Sequence, residues 1–463
     1  MKINTLKNHL EQVTAVLERN SLEQHDPILK HNDPEAIKQL LNTNLPDKHE
    51  AFDHILRDFE REILPSLNQN ASPNFGAYIT GSGNKIGALA EFIKAWYNQN
   101  GLKWNNSPIA SELEQLVIKW IAEYCLLPNH SRGVLTSGGS MSNLLAIHFA
   151  LADRYPEREM KGFSNAPSFT IYCSNQTHSS VDRAMVFLGL GREQLRKVDV
   201  NEHFQIDLKQ LRQTIEKDLR EGHTPFMLIG NAGTTNTGTI DDLDQLSEIA
   251  KKYNLWYHVD GAYGLPARRL PKLTEAFEGI EHADSVIINP HKWMYVPFEA
   301  SCVLLKEIPE AIHFTPDYLF TDKPGARWES SNHTIELSKE FRALKIWFTM
   351  KYYGTEQLTQ FVQHDIDMIR YFAEQLEKVP NVEIEPNYPL SILCFRYRDP
   401  AKSDDDNEQV NIQAIRKIET EGKIFITGTK LHGKTFLRVY YGNPERTKED
   451  VAYMAKVIRD TFN

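Results

Sequence analysis

From about residue 108 to 305, short apolar runs rich in β-branched and aromatic residues alternate with amphipathic stretches of helical spacing. The runs lie at 133–136, 169–172, 226–229, 256–259, 285–288 and 300–305, and the helical stretches between them include 142–154 and 242–253. This alternation predicts an α/β fold with a mostly parallel sheet covered on both faces. In such sheets ligands collect at the carboxyl ends of the strands. Upstream, Leu6, Leu10, Val13, Val16 and Leu17 share one face of a helix over 2–19. The first 70 or so residues read as polar helix broken at Pro27, Pro34 and Pro46, either an arm against another subunit or a surface layer. Residues 335–378 read as a long helix. A strand at 392–397, a helix at 409–421, strands at 424–428 and 435–441 and a helix at 447–461 then suggest a smaller α+β C-terminal domain. Asp404, Asp405 and Asp406 read as a solvated loop. The expected division is a helical segment at 1–72, a large domain at 73–350 and a small one at 351–463.

The chain has 463 residues, enough for two or three structural units, with an ordinary 41% of hydrophobic residues. Its formal net charge of -10 argues against a nucleic-acid partner and gives no reason to expect an anionic membrane surface. No uncharged apolar run approaches membrane-spanning length, and the first residues lack the apolar centre of a secretory signal. Cys125, Cys173, Cys302 and Cys394 lie far apart, mostly in apolar stretches and without metal-ligand spacing. They read as buried thiols of a reduced, cytoplasmic protein with no metal.

Four motifs carry candidate chemistry. Asn289-Pro290-His291-Lys292-Trp293 follows the run ending at Ile288. A lysine there either reaches solvent past the sheet edge or, buried, loses its charge and becomes a nucleophile. His258-Val259-Asp260-Gly261-Ala262 ends another run with a carboxylate. That carboxylate either caps the following turn or faces the nitrogen of a pyridine cofactor, with small residues admitting the flat ring. The turn Thr136-Ser137-Gly138-Gly139-Ser140-Met141 opens a helix. It is either an ordinary strand-to-helix turn or a phosphate site. His178, after the run at 169–172, is either a structural imidazole or one stacked on the cofactor.

Together these motifs resemble the group II pyridoxal-phosphate decarboxylases, which act on aromatic amino acids, histidine, glutamate or diaminobutyrate. The resemblance runs from about Ser72 to Arg438, and its signature is the segment from Ser285 to Trp293. It implies the aspartate aminotransferase type of fold (fold type I), pyridoxal 5'-phosphate as cofactor, an amino-acid substrate and a homodimer with sites at the interface. Lys292 would bind the cofactor covalently, Asp260 would pair with its ring nitrogen and His178 would stack on the ring. Ala262 and Thr235 would flank it. Gly139, Ser140, Met141, Asn289 and His291 would hold the phosphate. Tyr78, Ile79 and Thr80 correspond to a substrate-pocket wall, and Asn100 and Leu102 to positions supplied by the partner subunit. Pro316-Asp317-Tyr318-Leu319 leads into the family's mobile loop, so that 314–332, with Gly325, would form a lid. The catalytic tyrosine of many relatives falls near Ser330 rather than at Tyr318. The chain also has Gly261 where relatives often have Ala, and Ser140-Met141-Ser142 where many have Thr-Glu-Ala. Within this resemblance an aldehyde synthase or another carbon–carbon lyase is an alternative activity. An aminotransferase would need an arginine such as Arg342 or Arg438 for the substrate carboxylate. Outside enzymes, a catalytically silent binding subunit is the alternative.

Overall fold

The six apolar runs all fold as strands of one sheet in the computed structural model, which describes residues 3–20, 27–30, 33–309 and 327–462. The strands are β1 (Arg132–Thr136), β2 (Phe169–Ser174), β3 (Leu195–Val198), β4 (Thr224–Asn231), β5 (Trp256–Asp260), β6 (Ser285–Ile288) and β7 (Ser301–Leu305), in the order β1-β7-β6-β5-β4-β2-β3. Only β7 runs against the others in this sheet, antiparallel to both β1 and β6. The edge strand β3 is not evident in the hydrophobic pattern because Arg196 and Lys197 separate its two buried ends, Leu195 and Val198.

Side chains alternate across the sheet with period two. Val134, Ile171, Ile229, Ile287 and Val303 pack against the helix Gly139–Arg154 through Leu145 and Phe149. Leu135, Tyr172, Leu228, Val259 and Leu304 face the other way, towards Val117 and Ile121 of the helix Pro108–Tyr124 and Leu246 of the helix Leu243–Lys252. Burial on both faces explains why the strands read as continuous apolar runs.

The second sheet is antiparallel, with order β10-β11-β9-β8, from β8 (Val382–Ile384), β9 (Ile392–Tyr397), β10 (Thr427–Leu431) and β11 (Lys434–Tyr440). Its core joins Leu393, Phe395, Leu437 and Val439 to Ile369 and Phe372 of the helix Ala343–Leu376. That helix bends at Gly354, whose φ of 65° interrupts the helical backbone. Among the described residues, no helix is long and apolar enough to cross a membrane.

Two sequence expectations need correction. Asp404, Asp405 and Asp406 form the first turn of the helix Asp404–Glu421, where negative charge meets the positive end of the helix dipole. Ser403 caps it, accepting from the Asp406 N–H at 3.1 Å. The long helix starts at Ala343, not near 335, because other contacts occupy the preceding residues. Asn100 Oδ1 accepts the Lys339 N–H at 3.0 Å, and the Lys339 carbonyl accepts the Gly101 N–H at 2.8 Å. Lys339 Nζ reaches inward to Glu114 Oε1 at 2.5 Å, and that oxygen also accepts the Leu135 N–H of β1 at 3.2 Å. Both partners of this ion pair are buried.

Removing one partner of a buried pair leaves an uncompensated charge, at a cost of about 3–5 kcal/mol. Lys339→Met is therefore expected to lower stability by that amount in urea unfolding, and Lys339→Met combined with Glu114→Leu to recover much of it. Unfolding midpoints for both variants check the pair's role.

Candidate active site

A cavity of about 400 Å³ opens at the carboxyl ends of the parallel strands. All ten positions expected to face the cofactor line it: Gly139, Ser140, Met141, His178, Thr235, Asp260, Ala262, Asn289, His291 and Lys292. The chain topology brings them together. Asp260 is the last residue of β5, and Lys292 follows the adjacent parallel strand β6. The turn carrying Lys292 is closed by its N–H donating to the Asn289 carbonyl at 2.8 Å. Beyond it, Trp293 Nε1 and the Tyr295 hydroxyl donate to the buried Asp365 Oδ2 at 2.9 and 2.6 Å, tying the turn to the long helix. Gly81 is needed here for close approach, since a methyl group on it would meet the Lys292 carbonyl oxygen at 2.2 Å.

Lys292 keeps a partial opening into the cavity but is otherwise ringed by protein. Burial pulls its amine below the ordinary lysine value, the Asp260 carboxylate opposes this and the Arg438 guanidinium adds to the depression. A larger uncharged fraction makes a better nucleophile. Asp260 Oδ1 accepts the Ala262 N–H at 3.1 Å and Oδ2 accepts Asn143 Nδ2 at 3.0 Å.

His178 has its ring exposed at the open side of the cavity. Partial desolvation lowers its imidazole from the ordinary value, with Asp260 opposing. Its Nδ1 accepts the Ser180 N–H at 3.1 Å and lies 2.8 Å from Ser180 Oγ. His291 is buried, and desolvation, then the Lys292 charge, push it down to about 3. Its Nδ1 accepts the Ala300 N–H at 3.1 Å, so the neutral ring carries its proton on Nε2.

The helix Gly139–Arg154 begins with Gly138 as its cap and no capping side chain, so its first N–H groups remain available to an anion. Gly139 presses against Asn289, where a Cβ would lie 2.9 Å from Nδ2. Asn289 Oδ1 accepts the Ser301 hydroxyl at 2.6 Å, which orients the amide. An uncapped helix start, a glycine packed on a fixed amide, a depressed lysine and a carboxylate on the neighbouring strand fit the phosphate, aldehyde and ring nitrogen of pyridoxal phosphate.

Tyr78, Ile79, Thr80, Asn100 and Leu102 do not line this cavity. Tyr78 is exposed and its carbonyl accepts Arg438 Nη1 at 3.1 Å. Ile79 is buried and Thr80 half-buried. Asn100 Oδ1 also accepts the Leu102 N–H at 3.0 Å, and the Leu102 carbonyl accepts the Ser331 N–H at 3.3 Å. Tyr318 and Gly325 lie outside the described residues, as do all residues from 310 to 326. Arg342 is held by Glu299 at 3.0 Å and Glu336 at 3.5 Å, an ion-pair role at the start of the long helix. Arg438 is different: it is buried, and among the described residues its Nη2 has no hydrogen-bond partner.

Sequence reading assigned no role to Asn143, Ser180 or His258. The i, i+2 spacing of His258 and Asp260 puts both on one face of β5 and was the available signal. Asn143 and Ser180 carry none, because their relevance comes from contacts across the fold.

Residues 34–398 match the family described as pyridoxal-dependent decarboxylase conserved domain. The chain is 30% identical over 432 residues to an aromatic-L-amino-acid decarboxylase from Bacillus atrophaeus, covering 92% of this chain and 88% of that protein. It is 29% identical over 440 residues to a phenylacetaldehyde synthase from Arabidopsis thaliana, covering 92% and 89%. Its fold superposes with a TM-score of 0.90 on the crystal structure of Catharanthus roseus tryptophan decarboxylase in complex with L-tryptophan, at 26% identity, covering 100% of this chain and 98% of that one. The chain thus belongs to the pyridoxal-dependent decarboxylases, with fold type I, pyridoxal phosphate as its cofactor and amino-acid decarboxylation as its reaction.

Proposed function

We propose that this enzyme decarboxylates an aromatic L-amino acid, with Lys292, Asp260 and His178 as its catalytic residues. The observation that carries the reading is the pairing of a depressed lysine after β6 with a carboxylate ending β5, across one cavity. The similarity to an aromatic-L-amino-acid decarboxylase supports the substrate class.

When bound, pyridoxal phosphate supplies a ring that accepts the electron pair released as the α-carboxylate leaves. Lys292 is the nucleophile that would hold the cofactor's aldehyde carbon. Asp260, held by Ala262 and Asn143, would face the ring nitrogen. His178 and Ala262 would lie against the ring, with Thr235 beside it. The helix start at Gly139, Ser140 and Met141, with Asn289 and the Nε2–H of His291, would hold the phosphate. Arg438 would receive the substrate carboxylate: it is buried, its Nη2 has no hydrogen-bond partner among the described residues, and its charge acts on Lys292. A positioned acid returns a proton to the α-carbon. His178 and Tyr318 are the candidates.

The enzyme acts as a homodimer in this reading. Leu89, Phe92 and Trp96 are exposed at i, i+3 and i+7 of the helix Lys85–Tyr97, a spacing that makes one apolar stripe. Asn100 and Leu102 then belong to the wall of the partner's site. Four free, buried cysteines support a reducing, cytoplasmic setting.

With purified holoenzyme and a panel of tyrosine, tryptophan, phenylalanine, glutamate and 2,4-diaminobutyrate, carbon dioxide and the matching amine are expected in equal amounts from an aromatic substrate. Preference for glutamate or the diamino acid contradicts the substrate class. Aldehyde with peroxide as the main products contradicts the simple reaction.

A second expectation concerns pH. His130 and His258 are pushed down to about 4 and His291 to about 3, chiefly by burial. Unfolded histidine titrates near 6.5, so the unfolded chain takes up these protons first. Their contribution is complete above about pH 6.5 and falls away as pH drops towards the folded values, at about 1.4 kcal/mol per pH unit for each proton. Urea unfolding between pH 7 and 5 is expected to show His130→Gln with one proton less of uptake than the wild type. Identical pH slopes contradict the assignment.

A further inference from the structure

We propose that Asn143, held in a single orientation by His258, is a positioning residue that both aims Asp260 and, through Ser180, reinforces the Nε2–H form of His178. The inference rests on the catalytic roles given above to Asp260 and His178, and concerns how a buried polar chain governs both.

The direction of the hydrogen bonds follows from the Asp260 carboxylate, which accepts Asn143 Nδ2 and so turns Asn143 Oδ1 to His258 Nε2. Trp256 Nε1 donates to Ser285 Oγ at 2.9 Å. Ser285 Oγ lies 2.8 Å from His258 Nδ1 and donates its own proton there once the His258 proton sits on Nε2. A neutral His258 that accepts at Nδ1 carries its proton on Nε2, which lies 3.0 Å from Asn143 Oδ1. Burial pushes His258 down to about 4, keeping it neutral at ordinary pH, and Asp260 is the one charged group acting on it.

That contact sets the amide. With Oδ1 facing His258, both Nδ2 protons point the other way, to Asp260 Oδ2 at 3.0 Å and Ser180 Oγ at 2.9 Å. Ser180, accepting from Asn143, directs its own hydroxyl proton to His178 Nδ1. The Ser180 N–H also donates to that nitrogen. His178 Nδ1 is thus saturated as an acceptor, and the neutral ring keeps its proton on Nε2. The charged groups acting on His178 are Asp260, Lys292, Lys197 and Asp182.

Trp256, Ser285, His258, Asn143 and Ser180 are all buried, so water has no access to reverse the chain. A flipped Asn143 amide would set N–H against the His258 donor and oxygen against the Asp260 carboxylate, two repulsive contacts at once. One amide therefore couples Asp260 to His178.

The test uses holoenzyme selectively labelled with ¹⁵N-histidine. His258→Leu and Asn143→Leu remove the orienting contacts. His258→Gln retains an N–H donor towards Asn143. Ser285→Ala removes the proton given to His258, and with it the acceptor of Trp256 Nε1, while leaving His258 and Asn143 in place, and keeps the test open if a leucine variant fails to fold. In the wild type and His258→Gln, the His178 ring nitrogens are expected to report the Nε2–H form. The absorbance of the bound cofactor is expected to titrate at matching pH midpoints in those two proteins. In Ser285→Ala and the leucine variants, the Ser180 N–H still donates to His178 Nδ1, so the Nε2–H form persists while the Nδ1 resonance is expected to shift as the hydrogen bond from the Ser180 hydroxyl weakens. The absorbance midpoint is expected to move by about one pH unit, about tenfold in the protonation equilibrium. An unchanged His178 Nδ1 resonance in Ser285→Ala and in whichever leucine variants fold overturns the proposal, as does a His258→Gln shift as large as that of His258→Leu. Loss of cofactor binding in the wild type would instead sink the underlying reading of the site.

Discussion

The enzyme has to keep a primary amine and a carboxylate together in a cavity that the protein largely shuts off from water, and the rest of the site follows from meeting that requirement. Burial penalises charge at Lys292, and the fold offers Asp260 on the neighbouring strand as the group that opposes the penalty. The carboxylate in turn needs donors that water would otherwise supply. It receives them from Ala262 N–H and Asn143 Nδ2, one from the turn after β5 and one from the helix behind the sheet. Each of these groups is held by another, and satisfied polar contacts extend outward from the cavity until they reach Trp256 and Ser285 in the sheet.

The smaller sheet contributes to the same cavity through two long-range contacts. Asp365, on the half of the long helix that packs against that sheet, holds both Trp293 and Tyr295 just beyond Lys292. Arg438 of β11 runs back between Tyr78 and Asn236, with its Nε donating to the Asn236 carbonyl at 3.2 Å. Movement of the small sheet relative to the large one would therefore act directly on the lysine turn and on the proposed carboxylate site. The bend at Gly354 lies within the helix that links them.

Much of this was legible in the sequence because the large sheet is buried on both faces. Its central strands had to be apolar runs, and the polar residues ending them stood out: Asp260, and Asn289 to Lys292. The shared direction of β1, β2, β4, β5 and β6 then brought their carboxyl ends together, as alternation of strands and helices predicts. What escaped was local or long-range. β3 and β8 are short edge strands with too little buried surface to leave a pattern. The acidic run at 404–406 looked like a loop, although a serine cap before three acidic residues is also a helix start. The extended stretch before Ala343 depends on Lys339 meeting Glu114, 225 residues away, which no local pattern encodes. Asn143 and Ser180 belong to this last kind, being ordinary helix residues until the tertiary fold aligns them with His258 and His178.

The most direct test of the site is to identify the amine that holds the cofactor. Reduction of the holoenzyme with borohydride, followed by proteolysis and peptide mapping, should place a single stable pyridoxyl label on Lys292. Substituting Asp260 by Asn should leave that position labelled while altering the cofactor's absorbance. A label on another lysine, or none in protein that retains the coloured cofactor, would contradict the account.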